Sequence, residues 1–149
     1  MRTSTDTTTR WRAIAAELVA RALWLPLAVL LLHAVISLGF DGYDRLPGLD
    51  VPVHLLGGAV IAATFERTLA AARRHHLIEP VEQRVAVPLL LGLTSTAALA
   101  WECAEFLSDR YLATGAQRGL ADTLGDMLVG VAGAALFLIG CRLRARRLG

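Results

Sequence analysis

The chain is poor in charge, and lysine is absent from it. Of its 149 residues only 19% are charged, and all fifteen basic residues are arginine, whereas 55% are apolar and the mean hydropathy is +0.52. Soluble domains of average composition carry about 25% charged residues. The composition therefore argues against a soluble domain and predicts an integral membrane protein.

Cysteine is scarce as well. Cys103 and Cys141 are the two cysteines of the chain, and the predicted spans place them near opposite membrane faces, beyond the roughly 7 Å Cα separation that a disulfide allows. The sequence also lacks the G-x-S-x-G, H-E-x-x-H, P-loop and dinucleotide-binding motifs. The sequence thus excludes a disulfide between the two cysteines, and it carries none of these enzyme signatures.

Four apolar blocks are each near the roughly 20 residues that a helix needs to cross a bilayer. The predicted spans are Leu23 to Phe40, Val51 to Ala71, Val85 to Leu107 and Ala121 to Cys141. Before the first span, Trp11, Ile14, Leu18 and Ala22 recur at helical spacing, which predicts a short helix in the membrane interface. The predicted fold is all-α, an integral membrane bundle of about four transmembrane helices with this short N-terminal interfacial helix.

This reading divides the chain into three parts. Residues 1–9 are threonine-rich and polar and are predicted to be a disordered tail. Residues 10–141 form the four-helix transmembrane domain, and residues 142–149 form a basic tail. Twelve arginines lie on one side of the spans and three on the other, so the positive-inside rule predicts that both termini are cytoplasmic.

Acidic residues and one histidine gather at the predicted outer ends of three spans. They form pairs three or four residues apart, which share a helix face: Asp50 with His54, Glu102 with Glu105, Glu105 with Asp109, and Asp122 with Asp126. A carboxylate in hydrocarbon costs a few kcal/mol, and no lysine is present to neutralise these groups. Compensation must come from shared protons, from Arg110 and Arg118, or from a bound divalent cation.

Oxygen ligands with one imidazole suit Zn²⁺, Mn²⁺, Mg²⁺ or Ca²⁺. The candidate metal ligands are His54, Glu102, Glu105, Asp122 and Asp126, and Glu102 and Glu105 are also the candidate catalytic carboxylates, one of them serving as general base. The competing interpretation treats these groups as solvated helix ends in the hydrated headgroup layer, with Asp122 favoured there by the helix dipole.

The remaining polar residues indicate weaker roles. His33, alone on the first span, is predicted to be a hydrogen-bonded packing residue, and Glu66 is predicted to pair locally with Arg67. The arginines of residues 142–147 are typical of a positive-inside anchor that also favours anionic lipids. Nucleic-acid binding is not predicted.

Three motifs follow one another along the chain: Asp50-x-x-x-His54, Trp101-Glu102-x-x-Glu105-Phe106, and Asp122-x-x-x-Asp126 followed by Gly133-Ala134. Their order resembles that of a bacterial membrane family of the YjdF type. More distantly, it resembles the VanZ-like proteins, which are linked to glycopeptide (teicoplanin) resistance. The resemblance covers about residues 50 to 134. It implies a small helical bundle in the bacterial plasma (inner) membrane with functional polar positions at His54, Glu102, Glu105, Asp122 and Asp126. Gly130 departs from it, standing where an Asn or Asp is expected.

Three functions remain open on the sequence. The leading hypothesis is an outer-facing His/carboxylate site that binds a divalent metal and acts on a lipid or lipid-linked headgroup. The second is a transporter in which the same carboxylates relay protons or cations. The third is a non-enzymatic partner subunit, forming a homo- or hetero-oligomer through the glycine-rich faces at Gly125, Gly130 and Gly133.

Overall fold

The computed structural model describes residues 4–40, 42–46 and 48–148. Within these ranges the regular structure is helical throughout. The elements are α1 (Ser4–Leu18), a first π-helical turn (Val19–Leu23), α2 (Trp24–Ala34), a second π-helical turn (Val35–Gly39), α3 (Gly42–Arg45), α4 (Asp50–Arg74), α5 (Gln83–Leu112) and α6 (Leu120–Leu148).

Four segments are long and apolar enough to span a membrane, which confirms the predicted all-α, four-span class. They are Trp11–Ser37, Asp50–Arg74, Gln83–Leu112 and Leu120–Arg147. Cys103 and Cys141 are free, as predicted. The bilayer sets the length of each span, so hydropathy alone located them to within a few turns.

The first helical segment starts earlier than the sequence predicts. Residues 4–9, which were expected to be disordered, are helical, and residues 1–3 lie outside the described part of the chain. The first candidate span starts at Trp11 rather than at Leu23. Within this segment, the polar residue Glu17 forms ion pairs with Arg74 and His75 at the end of α4.

The segment that the sequence assigns to a basic tail is helical over residues 142–148. Residues 142–148 continue α6 as a helix, and residue 149 lies outside the described residues. The arginines of this segment are exposed on the helix. The basic residues at this end are therefore carried on the same helix as the fourth candidate span.

The tightest helix contact joins α4 and α6. A methyl group on Gly58 would overlap the backbone oxygen of Gly130, and one on Gly133 would overlap the backbone oxygen of Leu55. Such small residues let backbones approach closely, and this packing holds membrane helices together where hydrophobic burial provides little drive. Gly130 and Gly133, which the sequence offered as faces for a partner protein, thus pack inside the bundle.

Helix α4 is central in the bundle. Besides α6, it packs against α1, α2 and α5, and α5 also packs against α6. The buried core is correspondingly rich in alanine, with Ala62 and Ala134 fully buried. Side chains at the predicted outer end of α4 are therefore placed among three neighbouring helices.

The variant Gly58→Ala tests the contact between α4 and α6. Alanine is intrinsically better than glycine in a helix by about 1 kcal/mol, but here the methyl group would collide with backbone, so we expect a net loss of about 1–3 kcal/mol. Thermal unfolding in detergent measures it. The control is Gly57→Ala on the same helix, where the new methyl group meets nothing within 4 Å. Equal stability of the two variants would contradict the close contact.

Candidate functional site

Asp50, His54 and Asp126 meet at the predicted outer ends of α4 and α6. Nε2 of His54 lies 3.2 Å from Oδ1 of Asp50 and 3.9 Å from Oδ2 of Asp126. One potential ligand atom from each residue lies within 4.8 Å of the other two. The carboxylate of Asp126 belongs to a buried residue, and the other two residues are half-buried. We call these three residues the Asp/His cluster.

The Asp/His cluster contains two of the five predicted metal ligands, His54 and Asp126. Asp50 completes it, and the four-residue spacing of Asp50 and His54 is the sequence signal that could have added Asp50 to the ligand set. The other three predicted ligands lie outside this group: Glu102, Glu105 and Asp122.

The carboxylates of Glu102 and Glu105 flank the cluster from α5. Oε1 of Glu105 accepts a hydrogen bond from Nε1 of Trp101 at 2.7 Å. Glu102 is 4% exposed and accepts a hydrogen bond from the hydroxyl of Thr123 on α6. Both candidate catalytic carboxylates are therefore held in place by a hydrogen-bond partner. Glu102 is buried and Glu105 is half-buried, so neither residue is a solvated helix end.

The carboxylate of Asp109 orders the loop that follows α5. It accepts hydrogen bonds from the backbone N–H groups of Ala116 at 2.7 Å and Gln117 at 2.8 Å, and from the hydroxyl of Thr114 at 2.5 Å. The side chain of Gln117 in turn lies 3.2 Å from the hydroxyl of Thr123. Asp109 thus fixes the loop over the predicted outer end of the bundle instead of joining the Asp/His cluster.

His33 on α2 is hydrogen-bonded and packed, as predicted. Its Nδ1 lies 2.8 Å from the hydroxyl of Tyr43, and its ring meets Trp101 edge-to-face with centroids 5.0 Å apart. Burial, with the nearby carboxylates of Asp50 and Glu105, raises the pKa of Tyr43 to about 12. The phenol therefore stays protonated at neutral pH and keeps its hydrogen-bond donor.

A polar cavity of about 110 Å³ lies at the predicted outer end of the bundle. Its walls combine the Asp/His cluster with side chains of α2, α3 and α5 and with the loop that Asp109 orders. The lining residues that carry charge or a polar group include Ser37, Tyr43, Asp50, Glu105, Thr114 and Arg118. Arg118 adds a guanidinium group to a lining that also contains three carboxylates, so the cavity offers charges of both signs.

A second, mostly apolar cavity of about 260 Å³ lies deeper in the bundle. It is walled by α2, α4, α5 and α6, with small or aliphatic side chains over most of its surface and Glu102 at its edge. His33, His54 and Asp126 line both cavities. Part of the Asp/His cluster therefore stands where a polar compartment and an apolar compartment meet, which spacing along the sequence did not predict.

Comparison with known proteins connects the chain to one family. Residues 8–147 match the model of a family described as "Predicted membrane protein (DUF2238)". No curated protein and no solved structure matches the chain. The matched region contains all four candidate spans and every residue of the two cavities.

Replacement of Asp109 by alanine tests its role in the loop. The variant loses the acceptor of three hydrogen bonds, so we expect faster amide hydrogen exchange at Ala116 and Gln117 than in the wild type. The matched control is Arg110→Ala, which removes the neighbouring exposed charge and leaves these bonds intact. Unchanged exchange in the Asp109 variant would show that other contacts hold the loop.

Proposed function

The chain belongs to the DUF2238 family of predicted membrane proteins, and we propose that it binds and acts on a lipid or lipid-linked headgroup at the predicted outer face, using a divalent metal held by the Asp/His cluster. The observation that carries the proposal is the position of His54 and Asp126 on the shared wall of a polar and an apolar cavity. An amphipathic molecule has complementary parts: a polar headgroup for the outer cavity and a hydrocarbon chain for the inner one.

The ligand atoms of the cluster have separations that suit one divalent ion. Zinc binds nitrogen and oxygen at about 2.0–2.2 Å in tetrahedral geometry, which puts ligand atoms about 3.3–3.6 Å apart. The separations of 3.2 and 3.9 Å around Nε2 of His54 lie close to this range. One imidazole and two carboxylates favour Zn²⁺ or Mn²⁺ over Mg²⁺ and Ca²⁺, which prefer oxygen alone. Three protein ligands also leave a position open, as in catalytic metal sites.

The charge of the cluster supports the same assignment. Two carboxylates that meet beside a membrane interior repel each other, and one protonated histidine neutralises half of their charge. A divalent cation would balance both carboxylates and permit a neutral imidazole to act as ligand. The metal would supply a positive centre that can polarise an oxygen of the headgroup.

The inner cavity supports a substrate that comes from the bilayer. Pro26, Val29 and Leu30 of α2 form one wall, and Ala97 and Ala98 of α5 form another. Helix α2 packs on α4 and meets α5 where the ring of His33 contacts Trp101, and the inner cavity lies between the wall residues of these two helices. A hydrocarbon chain can therefore pass between α2 and α5 into the cavity without leaving the apolar layer.

Glu105 is the residue to which we assign the role of general base. It lines the polar cavity beside Asp50 and His54, and Trp101 holds one of its carboxylate oxygens, which leaves the other for a proton. A general base has to stand within hydrogen-bond reach of its proton, directly or through one water. Glu102 lines the apolar cavity and is bonded to Thr123, which suits positioning of the substrate rather than exchange of protons with solvent.

A transporter is less well supported. The hydroxyl groups that a proton path through the spans would use donate to carbonyl groups of their own helices: Thr64 to Val60, Thr94 to Leu90, Ser95 to Leu91 and Thr96 to Gly92. The resemblance to YjdF-type and VanZ-like proteins favours a cell-envelope lipid in a bacterial plasma membrane, with both termini cytoplasmic and the cluster facing outward. We include this setting in the proposal.

Metal content tests the cluster. We expect about one Zn²⁺ or Mn²⁺ per purified chain by mass spectrometric elemental analysis, and a lower unfolding temperature in chelator. His54→Ala and Asp126→Asn remove a ligand and should lose the ion. Asp122→Asn and Glu105→Gln are the matched controls, since both leave the cluster intact. Wild-type protein without stoichiometric metal and indifferent to chelator would overturn the metal part of the proposal.

Filling the inner cavity tests the lipid part. Ala98→Trp places a large side chain in the cavity and should lower the number of lipids retained per chain during purification by one, measured by native mass spectrometry. Leu99→Trp, at a neighbouring position that is 51% exposed toward the surrounding bilayer, is the control and should retain lipid. Equal retention by the two variants would exclude the inner cavity as the lipid site.

A further inference from the structure

A separate cavity lies at the other end of the bundle, between the first turn of α5 and the last turns of α6. It measures about 490 Å³ and is lined by Gln83, Arg84, Arg142, Ala145 and Arg146. Residues 142, 145 and 146 share one face of α6 because of their helical spacing. Arg84 is brought to them by the packing of α5 against α6. We call this cavity the arginine pocket.

The arginine pocket collects positive charge from two helices, which the arginine run of residues 142–147 does not by itself imply. Arg84, Arg142 and Arg146 contribute three guanidinium groups, and the lining contains no carboxylate. Like charges on one cavity repel each other unless an anion lies between them. Nη2 of Arg142 lies 3.5 Å from the backbone oxygen of Gln83, so α5 helps to orient this guanidinium. Planar guanidinium groups bind phosphate oxygens in pairs.

The surroundings of the arginine pocket are those of a membrane surface. Val85 and Leu143, which directly follow Arg84 and Arg142, are 59% and 51% exposed. Both belong to segments that are apolar enough to span a membrane. A phosphate in the pocket would therefore sit beside apolar side chains that can contact the acyl chains of the same molecule.

We propose that the arginine pocket binds the phosphate of an anionic phospholipid in the leaflet next to the arginine-rich ends of the helices. Basic pockets between transmembrane helices on the cytoplasmic side are suited to such headgroups. This lipid is bound at the opposite end of α5 and α6 from the Asp/His cluster and its cavities. Its binding does not depend on the proposed metal or on the proposed substrate.

Lipid binding to the purified full-length chain in detergent tests the proposal. Phosphatidylglycerol, phosphatidylcholine and inorganic phosphate are titrated separately and followed by native mass spectrometry and by the unfolding temperature. We expect phosphatidylglycerol to bind and to raise the unfolding temperature, and phosphatidylcholine to do neither. Arg84→Gln, Arg142→Gln and Arg146→Gln should each weaken phosphatidylglycerol binding about fivefold.

Arg144→Gln is the matched control. It removes the same charge from the same exposed end of α6, but Arg144 is not part of the pocket lining. If Arg144→Gln weakened phosphatidylglycerol binding as much as the pocket variants, general charge attraction would explain the effect and the proposed site would be overturned. Phosphatidylcholine binding as tightly, or inorganic phosphate producing the same stabilisation, would overturn the assignment to an anionic lipid. The loss of phosphatidylglycerol binding caused by Arg84→Gln should be the same in wild-type and His54→Ala backgrounds, so that failure here and failure of the proposed function are distinguished.

Discussion

The close approach of α4 and α6 is the constraint on which the candidate site depends. Gly58 lies against Gly130, and no side chain larger than hydrogen fits at position 58. The two helices run in the same direction. His54 and Asp126 lie four residues, about one turn, before Gly58 and Gly130 respectively, and they therefore face each other. The register of a packing contact made by glycine thus sets the geometry of a polar cluster.

Placing the charged groups of the Asp/His cluster beside the membrane interior costs free energy, so their partners indicate how that cost is offset. Polar groups beside hydrocarbon are stable when they find partners, and the described residues follow this rule closely. Glu105 is bonded to Trp101, Glu102 to Thr123 and Asp109 to its own loop. The two carboxylates of the cluster share a single imidazole nitrogen, whereas Glu102 and Glu105 each have a neutral hydrogen-bond donor of their own.

The two ends of the bundle are chemically opposite. One end joins carboxylates and histidines to a polar cavity above an apolar one, and the other carries arginines around a cavity at the membrane edge. At that second end, Glu17 ties α1 to α4 through Arg74 and His75. Helix α4 connects both ends, because Glu17 of α1 pairs with Arg74 at one end of α4 and Asp126 of α6 meets His54 near the other.

Several features of this protein were determined by the sequence alone. Bilayer thickness dictates the length of an apolar run, so the spans could be predicted, and helical spacing placed Asp50 beside His54 and Asp122 near Asp126. Which helices then meet was decided by tertiary structure: Asp126 faces His54 while Asp122 does not join them, and Tyr43 reaches His33 from a separate short helix. Periodicity describes one helix at a time, whereas distances between helices depend on where small residues allow close packing.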